Sequence, residues 1–219
     1  MAPASAAVKI PVEMPVVVEK RVRNRAATEK AILDAAKRLL AEEGFQNFGI
    51  NAVARGAGCD KQLIYRYYGG LNGLVEAIGT DLGSWVTDRI PDDTGGMFLL
   101  TYGDLMERLS MLFLDALRAD PLMRRIVAWE VSESSEQVRR LSEARSKALA
   151  GWIERMRGSL VPPKGVDAQA VNAMIFAAIQ HIVLASAVSD QCAGLPLKNG
   201  KDWEKAAIAL KRIVRGVYG

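Results

Sequence analysis

At 219 residues, with 50% of them hydrophobic, the chain can bury one large core or two smaller ones, which excludes disorder throughout. Its two cysteines, Cys59 and Cys192, are too few for a disulfide scaffold and lack the paired spacing of a zinc site, so a reducing cytoplasm is expected. The net charge of +4 lies in the first third, with 11 Lys/Arg against 7 Asp/Glu through Tyr67 and 18 against 18 after it, so a polyanion is drawn to one end only.

Periodic apolar positions broken by Gly and Pro, without runs of alternating β-branched residues, predict an all-α chain of about nine helices. The stretch Met1–Lys20 holds Pro3, Pro11, Glu13, Pro15 and Glu19 and lacks the apolar core of a secretory signal, so residues 1–24 read as a disordered basic arm. A first helix is expected from Ala26 to Glu43, with Ile32, Leu33, Ala36, Leu39 and Leu40 along one stripe and Gly44 as its stop. In a short second helix Ile50, Val53, Ala54 and Ala57 face inward, while Asn51 and Arg55 face out. Gly58 makes the turn and Asp60 caps a third helix, whose Ile64 and Tyr68 point inward and leave Lys61, Gln62, Leu63, Tyr65 and Tyr67 exposed. A fourth helix carries Leu74, Ile78, Leu82 and Trp85 and stops near Pro91-Asp92-Asp93. Further helices are expected over Met97–Arg118, Pro121–Val131, Glu136–Arg157, Asp167–Ser189 and Lys201–Val217. The longest apolar stretch, Ala173–Val188, is interrupted by Gln180 and His181 and is shorter than the ~20 residues that span a bilayer, so no membrane partner is expected.

The informative segment is Ile50–Tyr68: a short helix, a glycine turn, and a helix whose outer face is a cation, an amide, an aliphatic and two phenols. Such a helix fits the major groove of DNA, where Gln62 can bond adenine bidentately, Lys61 can meet guanine or phosphate, and Leu63 can pack on a thymine methyl. Tyr65 and Tyr67 would mostly contact phosphates. The same spacing also suits an ordinary helical hairpin with idle surface residues.

The runs Gly44-Phe45, Ile50-Asn51-Ala52-Val53-Ala54-Arg55-Gly56-Ala57-Gly58 and Lys61-Gln62-Leu63-Ile64-Tyr65-Arg66-Tyr67-Tyr68 resemble the DNA-binding domain of the TetR family over roughly residues 25 to 80. The resemblance implies a helix-turn-helix domain at 25–70, a connecting helix at 71–90, and a ligand-binding and dimerisation domain at 91–219. It implies a transcriptional repressor that binds operator DNA as a homodimer and releases it for a small-molecule effector. DNA contacts are then expected from Gly49, Asn51, Lys61, Gln62, Leu63, Tyr65, Arg66 and Tyr67. Two places depart from the family pattern: Phe48-Gly49 stands where a small hydroxyl residue caps the second helix, and Gly70-Leu71-Asn72 stands where a phosphate-binding lysine opens the fourth. The cluster Lys20, Arg21, Arg23 and Arg25 is placed to compensate by following the backbone or entering the minor groove.

Val171, Ile175, Ile179 and Ile182 form one apolar stripe on the penultimate helix, and Trp203, Leu210, Ile213, Val214 and Val217 another on the last, more than one small domain easily covers. They are expected to make a two-fold four-helix interface, with intrachain core as the alternative. Met106, Phe113, Trp129, Trp152, Met174 and His181 are candidate lining for a pocket that takes apolar or aromatic molecules, and the competing reading for each is plain core.

An enzyme or a protein-binding scaffold is the alternative class. The single histidine, the absence of HExxH, paired CxxC or GxxxxGK[ST], and Lys61 at the third glycine position after Gly56 and Gly58 argue against catalysis, a metal or a cofactor. Cys59, in the turn, reads as a small apolar residue where valine is usual in the family, with a redox switch as the other reading.

Overall fold

The computed structural model describes residues 16–89 and 100–219, with side chains described over 25–85 and 100–219. Among these residues the chain forms nine helices: α1 (Val16–Glu43), α2 (Ile50–Ala57), α3 (Lys61–Tyr68), α4 (Leu71–Arg89), α5 (Tyr102–Ala119), α6 (Pro121–Ser132), α7 (Glu136–Arg157), α8 (Ala168–Ser189) and α9 (Gly200–Tyr218). Residues 1–15 of the expected arm, the expected seam at Pro91-Asp92-Asp93, and Met97 lie outside the described residues. The all-α reading holds with one addition, a two-residue antiparallel hairpin of β1 (Gln191–Cys192) and β2 (Leu195–Pro196) in the loop before α9.

The main difference from expectation is at the start, where α1 begins at Val16 and not at Ala26. No Gly or Pro interrupts Val16–Glu43, and Glu19, Lys20, Arg21, Arg23 and Arg25 are straight-chain residues that lose little freedom in a helix. Basic composition therefore did not make residues 16–24 irregular.

α1 to α3 form a small helical unit around Ile32, Ala36, Leu40, Val53 and Ile64. Gly58 takes a left-handed conformation with φ of 63°, and the amides of Gly58 and Cys59 return to the carbonyls of Arg55 and Ala54, closing α2. Asp60 then opens α3 by accepting from the Gln62 amide at 2.8 Å. The far end of α3 is tied to α1 by Tyr68, whose hydroxyl donates to the Glu29 carbonyl at 2.7 Å. Burial, then the carboxylates of Glu29, Asp81 and Asp34, push that hydroxyl from 10.0 to about 12.

α4 leaves this unit and runs into the larger one. Lys37 on α1 holds Asp81 on α4 at 2.7 Å; burial opposes the lysine's charge, but that bond and the charges of Asp81 and Asp34 together outweigh it and raise its affinity for the proton. On the opposite side α4 lies against α7 almost backbone to backbone. A Cβ on Gly79 would stand 2.8 Å from the Ala144 Cβ, and one on Gly83 would stand 2.2 Å from the Ala148 Cβ and 2.9 Å from the Arg145 carbonyl oxygen. Arg140 spans the top of this seam to Glu76 at 2.7 Å. The larger unit is a bundle of α5 to α9 whose core includes Leu105, Leu109, Leu117, Ile126 and Leu141, fully buried. Its helices start on side-chain caps: Thr101 with Asp104 before α5, Asp120 before α6, Ser135 before α7, Asp167 before α8, and Asn199 with Asp202 before α9.

Gly83→Ala is expected to destabilise the chain by about 1–3 kcal/mol in urea denaturation, because neither the Ala148 Cβ nor the Arg145 carbonyl can swing aside. Gly151→Ala on α7, whose Cβ would meet only the flexible Arg155 guanidinium at 3.6 Å, should instead be neutral or stabilise by up to about 1 kcal/mol. Because folded Tyr68 keeps its proton to about 12 while the unfolded residue loses it near 10.0, its contribution is complete below pH 10 and is lost as pH rises to 12. Tyr68→Phe should be less stable at neutral pH by about 1 kcal/mol, with a shallower alkaline decline than the parent.

Candidate nucleic-acid interface and cavity

The outer face of α3 presents Lys61, Gln62, Tyr65 and Arg66 to solvent, and Tyr65 is 55% exposed although it is aromatic. Asn51 and Arg55 on α2 are exposed beside it. Two expected members of this face are only partly available. Leu63 and Tyr67 are half-buried and pack against the core, because an eight-residue helix wedged between α2 and α4 turns more than one side inward. Tyr67 is further covered by guanidinium groups, Arg25 and Arg66 each lying 5.3 Å from its ring centre. Arg25 also pairs with Glu29 at 2.9 Å, so α1 feeds a cation to the edge of the α3 face. Arg23 lies on α1, and its side chain is outside the described residues.

Gly49 precedes α2 in an extended conformation with no side chain capping the helix, so Asn47 does not take the place of the missing hydroxyl residue. Cys59 is half-buried, and burial followed by the charge of Asp60 pushes its thiol above the usual range, which lowers the thiolate fraction that a redox switch needs.

The larger unit contains a cavity of about 510 Å³ between α7 and α8, lined by Arg145, Leu149 and Ile153 from α7, Asn172 and Phe176 from α8, and Tyr102 at the start of α5. Asn172 joins two tyrosines at one side of it: its Nδ2 donates to the Tyr102 hydroxyl, and the Tyr218 hydroxyl donates to its Oδ1, both at 2.8 Å. Burial is the main cause pushing Tyr218 up to about 12, so this phenol is a hydrogen-bond donor throughout the neutral range.

None of the six expected lining residues is among those that form the cavity wall. Met106, Phe113 and Trp152 are buried in the core, Phe113 standing behind the wall in edge-on contact with Phe176 at 5.1 Å. Trp129 lies on the backbone of Gly44, where a Cβ would meet three of its ring atoms at 3.1 Å. Met174 is 74% exposed and His181 is exposed, on the outer side of α8. Large apolar side chains went where packing density is highest, while the wall is built from a stripe on α7, Arg145, Leu149 and Ile153, in which charged and apolar residues recur every four positions.

The expected dimer residues also divide. Ile175, Ile179, Trp203, Leu210 and Val214 are buried within the single chain, while Val171 and Ile182 are half-buried. Ile213 remains 59% exposed with Val217 beside it, and the outward row on α8 is Met174, Ala178, His181 and Val188. α8 is apolar on more than one side, so its periodicity could not separate the row facing α5 from the row facing out. Taken over Ala168–Ser189, it is long and apolar enough by length and composition to cross a membrane, contrary to the count over Ala173–Val188. Among the described residues, no group of three or more His, Cys, Asp and Glu is placed to hold a metal ion.

Comparison with known proteins agrees with this geometry. The chain is 26% identical, over 189 aligned residues covering 75% of it and 90% of the relative, to an uncharacterized HTH-type transcriptional regulator of Mycobacterium tuberculosis. Its fold matches a TetR family transcription regulator from Marinobacter aquaeolei, with a TM-score of 0.59 at 18% identity over 88% of this chain and 97% of that one. It also matches the transcriptional regulator FadR from Bacillus subtilis, solved in complex with stearoyl-CoA, with a TM-score of 0.63 at 18% identity over 86% and 98% of the two chains. Residues 32–78, which contain the turn at Gly58 and the whole of α3, match the family described as bacterial regulatory proteins, tetR family. The helix-turn-helix that α2 and α3 build therefore lies within the stretch that matches this family, and the chain as a whole is similar to transcriptional regulators with that fold.

Proposed function

We propose that this regulator is a repressor that binds operator DNA as a homodimer through α3 and releases it when a small molecule with an apolar or aromatic body fills the cavity between α7 and α8. The observation that carries the DNA-binding half is the exposed row of Lys61, Gln62, Tyr65 and Arg66 on a helix held rigidly at both ends by Asp60 and Tyr68. In the major groove Gln62 reads adenine, Lys61 meets guanine or phosphate, and Tyr65 and Arg66 hold the backbone. Asn51 and the uncapped start of α2 behind Gly49 add phosphate contacts, and Arg25 replaces the cation that α4 lacks.

A second copy would cover the outward row of α8 together with Ile213 and Val217, placing two α3 helices about 34 Å apart to enter successive major grooves. The cavity supports the effector half, as does the similar FadR from Bacillus subtilis, which was solved with stearoyl-CoA. Occupancy would reach the DNA through α7, since α7 and α4 are packed too closely to move apart, and α4 enters the DNA-binding unit directly.

Replacing Gln62 and Tyr65 together with alanine should lower the preference for operator over unrelated DNA by about tenfold or more in a gel-shift series, with the urea midpoint unchanged because both residues are exposed. Retained preference would reject α3 as the reading helix. Ile213→Glu with Val217→Glu should shift the protein from dimer to monomer in sedimentation and weaken operator binding, and a native sedimentation profile would reject the assigned interface.

A further inference from the structure

One charged residue on the cavity wall stands apart from the apolar lining. Arg145 has a side chain only 13% exposed, and it is locked to Glu130 on α6, whose side chain is 5% exposed, by two hydrogen bonds. Its Nε donates to Oε2 and its Nη2 to Oε1, each at 2.9 Å, which uses both carboxylate oxygens. A guanidinium carries five N–H groups, and the Arg145 Nη1 makes no hydrogen bond with any described residue. The cavity therefore has a buried cation on its wall with donors left over. The charged residues of the wall are two cations, Arg145 and Arg157, against one carboxylate, Glu154, which pairs with Arg157 at 2.6 Å. A cationic ligand would meet more like than opposite charge there, and a neutral one would leave the Nη1 donors without an ionised acceptor. An anion would gain a charge-assisted bond in a site of low dielectric. Leu149, Ile153, Phe176 and Ala173 supply the apolar remainder, and a volume of about 510 Å³ lies within the range of sites that hold drug-sized molecules.

The position of Glu130 gives such an anion a consequence. Its neighbour Trp129 carries the ring that rests on Gly44, where α1 ends and the helix-turn-helix begins. A ligand anion on Arg145 repels Glu130 and competes for the same guanidinium, which loosens α6 at the residue next to that contact.

Resting on the effector role proposed for this cavity, we propose that Arg145 is its anion-recognising residue, that the effector is an amphiphile with a carboxylate or phosphate head on an apolar body, and that uptake of the head is relayed through Glu130 and Trp129 to the DNA-binding unit.

The test uses the full chain and four probes with a ten-carbon chain: decanoate, decyl phosphate, decanol and decylammonium. Binding is read by calorimetry, and operator release by gel shift. At least one of the two anions should bind about tenfold or more tighter than decanol and decylammonium, and should release operator; which of the two binds identifies the head group. Glu130→Gln, which frees the guanidinium, should tighten anion binding. The Glu130→Gln, Arg145→Gln double variant, which leaves no buried charge unpaired, should weaken it by about tenfold or more while decanol binding stays put. Should the double variant fail to fold, Arg145→Lys should keep the preference for anion over alcohol at reduced strength. Binding of neither anion, equal binding of decanol, or undiminished anion binding in the double variant would overturn the proposal. Operator release by decanol alone would overturn it while leaving the cavity's effector role intact, whereas a chain that binds no operator would instead strike the proposed function.

Discussion

The close approach of α4 to α7 is the constraint on which the rest of the arrangement hangs. α4 belongs to both halves of the molecule: its start completes the core under α3, and its middle lies along α7, where Gly79 and Gly83 let the Ala144 and Ala148 side chains reach its backbone. Two helices this close share one rigid frame, since any separation opens a void lined by atoms without partners. The adjoining side of α7 carries Arg145, Leu149 and Ile153, the wall of the cavity. One helix therefore borders both the ligand site and the route to DNA.

Much of the DNA-binding half was legible because its signals are local. Gly58 and Asp60 punctuate the turn through backbone conformation and a short-range cap, and both work within a few residues of themselves. Spacing alone identified Val53, Ala54 and Ile64 as core. The family resemblance read from the same residues then stood when the chain was compared with known proteins. Leu63 and Tyr67 were harder, because their burial depends on how α2 and α4 flank α3 and, for Tyr67, on the Arg25 guanidinium far away in sequence.

The larger unit was legible as helices but not as a site. Its boundaries follow from caps such as Asp120 and Ser135, which are again local. The cavity is set by how three helices diverge, a property no single helix carries in its sequence. Choosing Met106, Phe113 and Trp152 by chemistry selected the residues best suited to fill space, and they fill it. α8 misled in a related way: Ile175, Ile179 and the outward Met174 are equally apolar, and only the position of α5 decides which row is interior. The beginning of α1 shows the converse, where the basic run from Lys20 to Arg25 read as an irregular arm although nothing in it opposes a helix.

The seat of Trp129 on Gly44 bears on how the two halves can move. Gly44 sits at φ of 71°, a conformation that other side chains adopt only with strain, and its missing Cβ leaves a bare stretch of backbone under the indole plane. A flat ring on a smooth surface has no knob seated in a hole, so displacement parallel to the ring keeps most of the dispersion contact whereas displacement along its normal forfeits it. The junction thus resembles a plain bearing, yielding to shear more readily than to detachment, so a shift that α4 passes to the reading unit would run parallel to the indole plane.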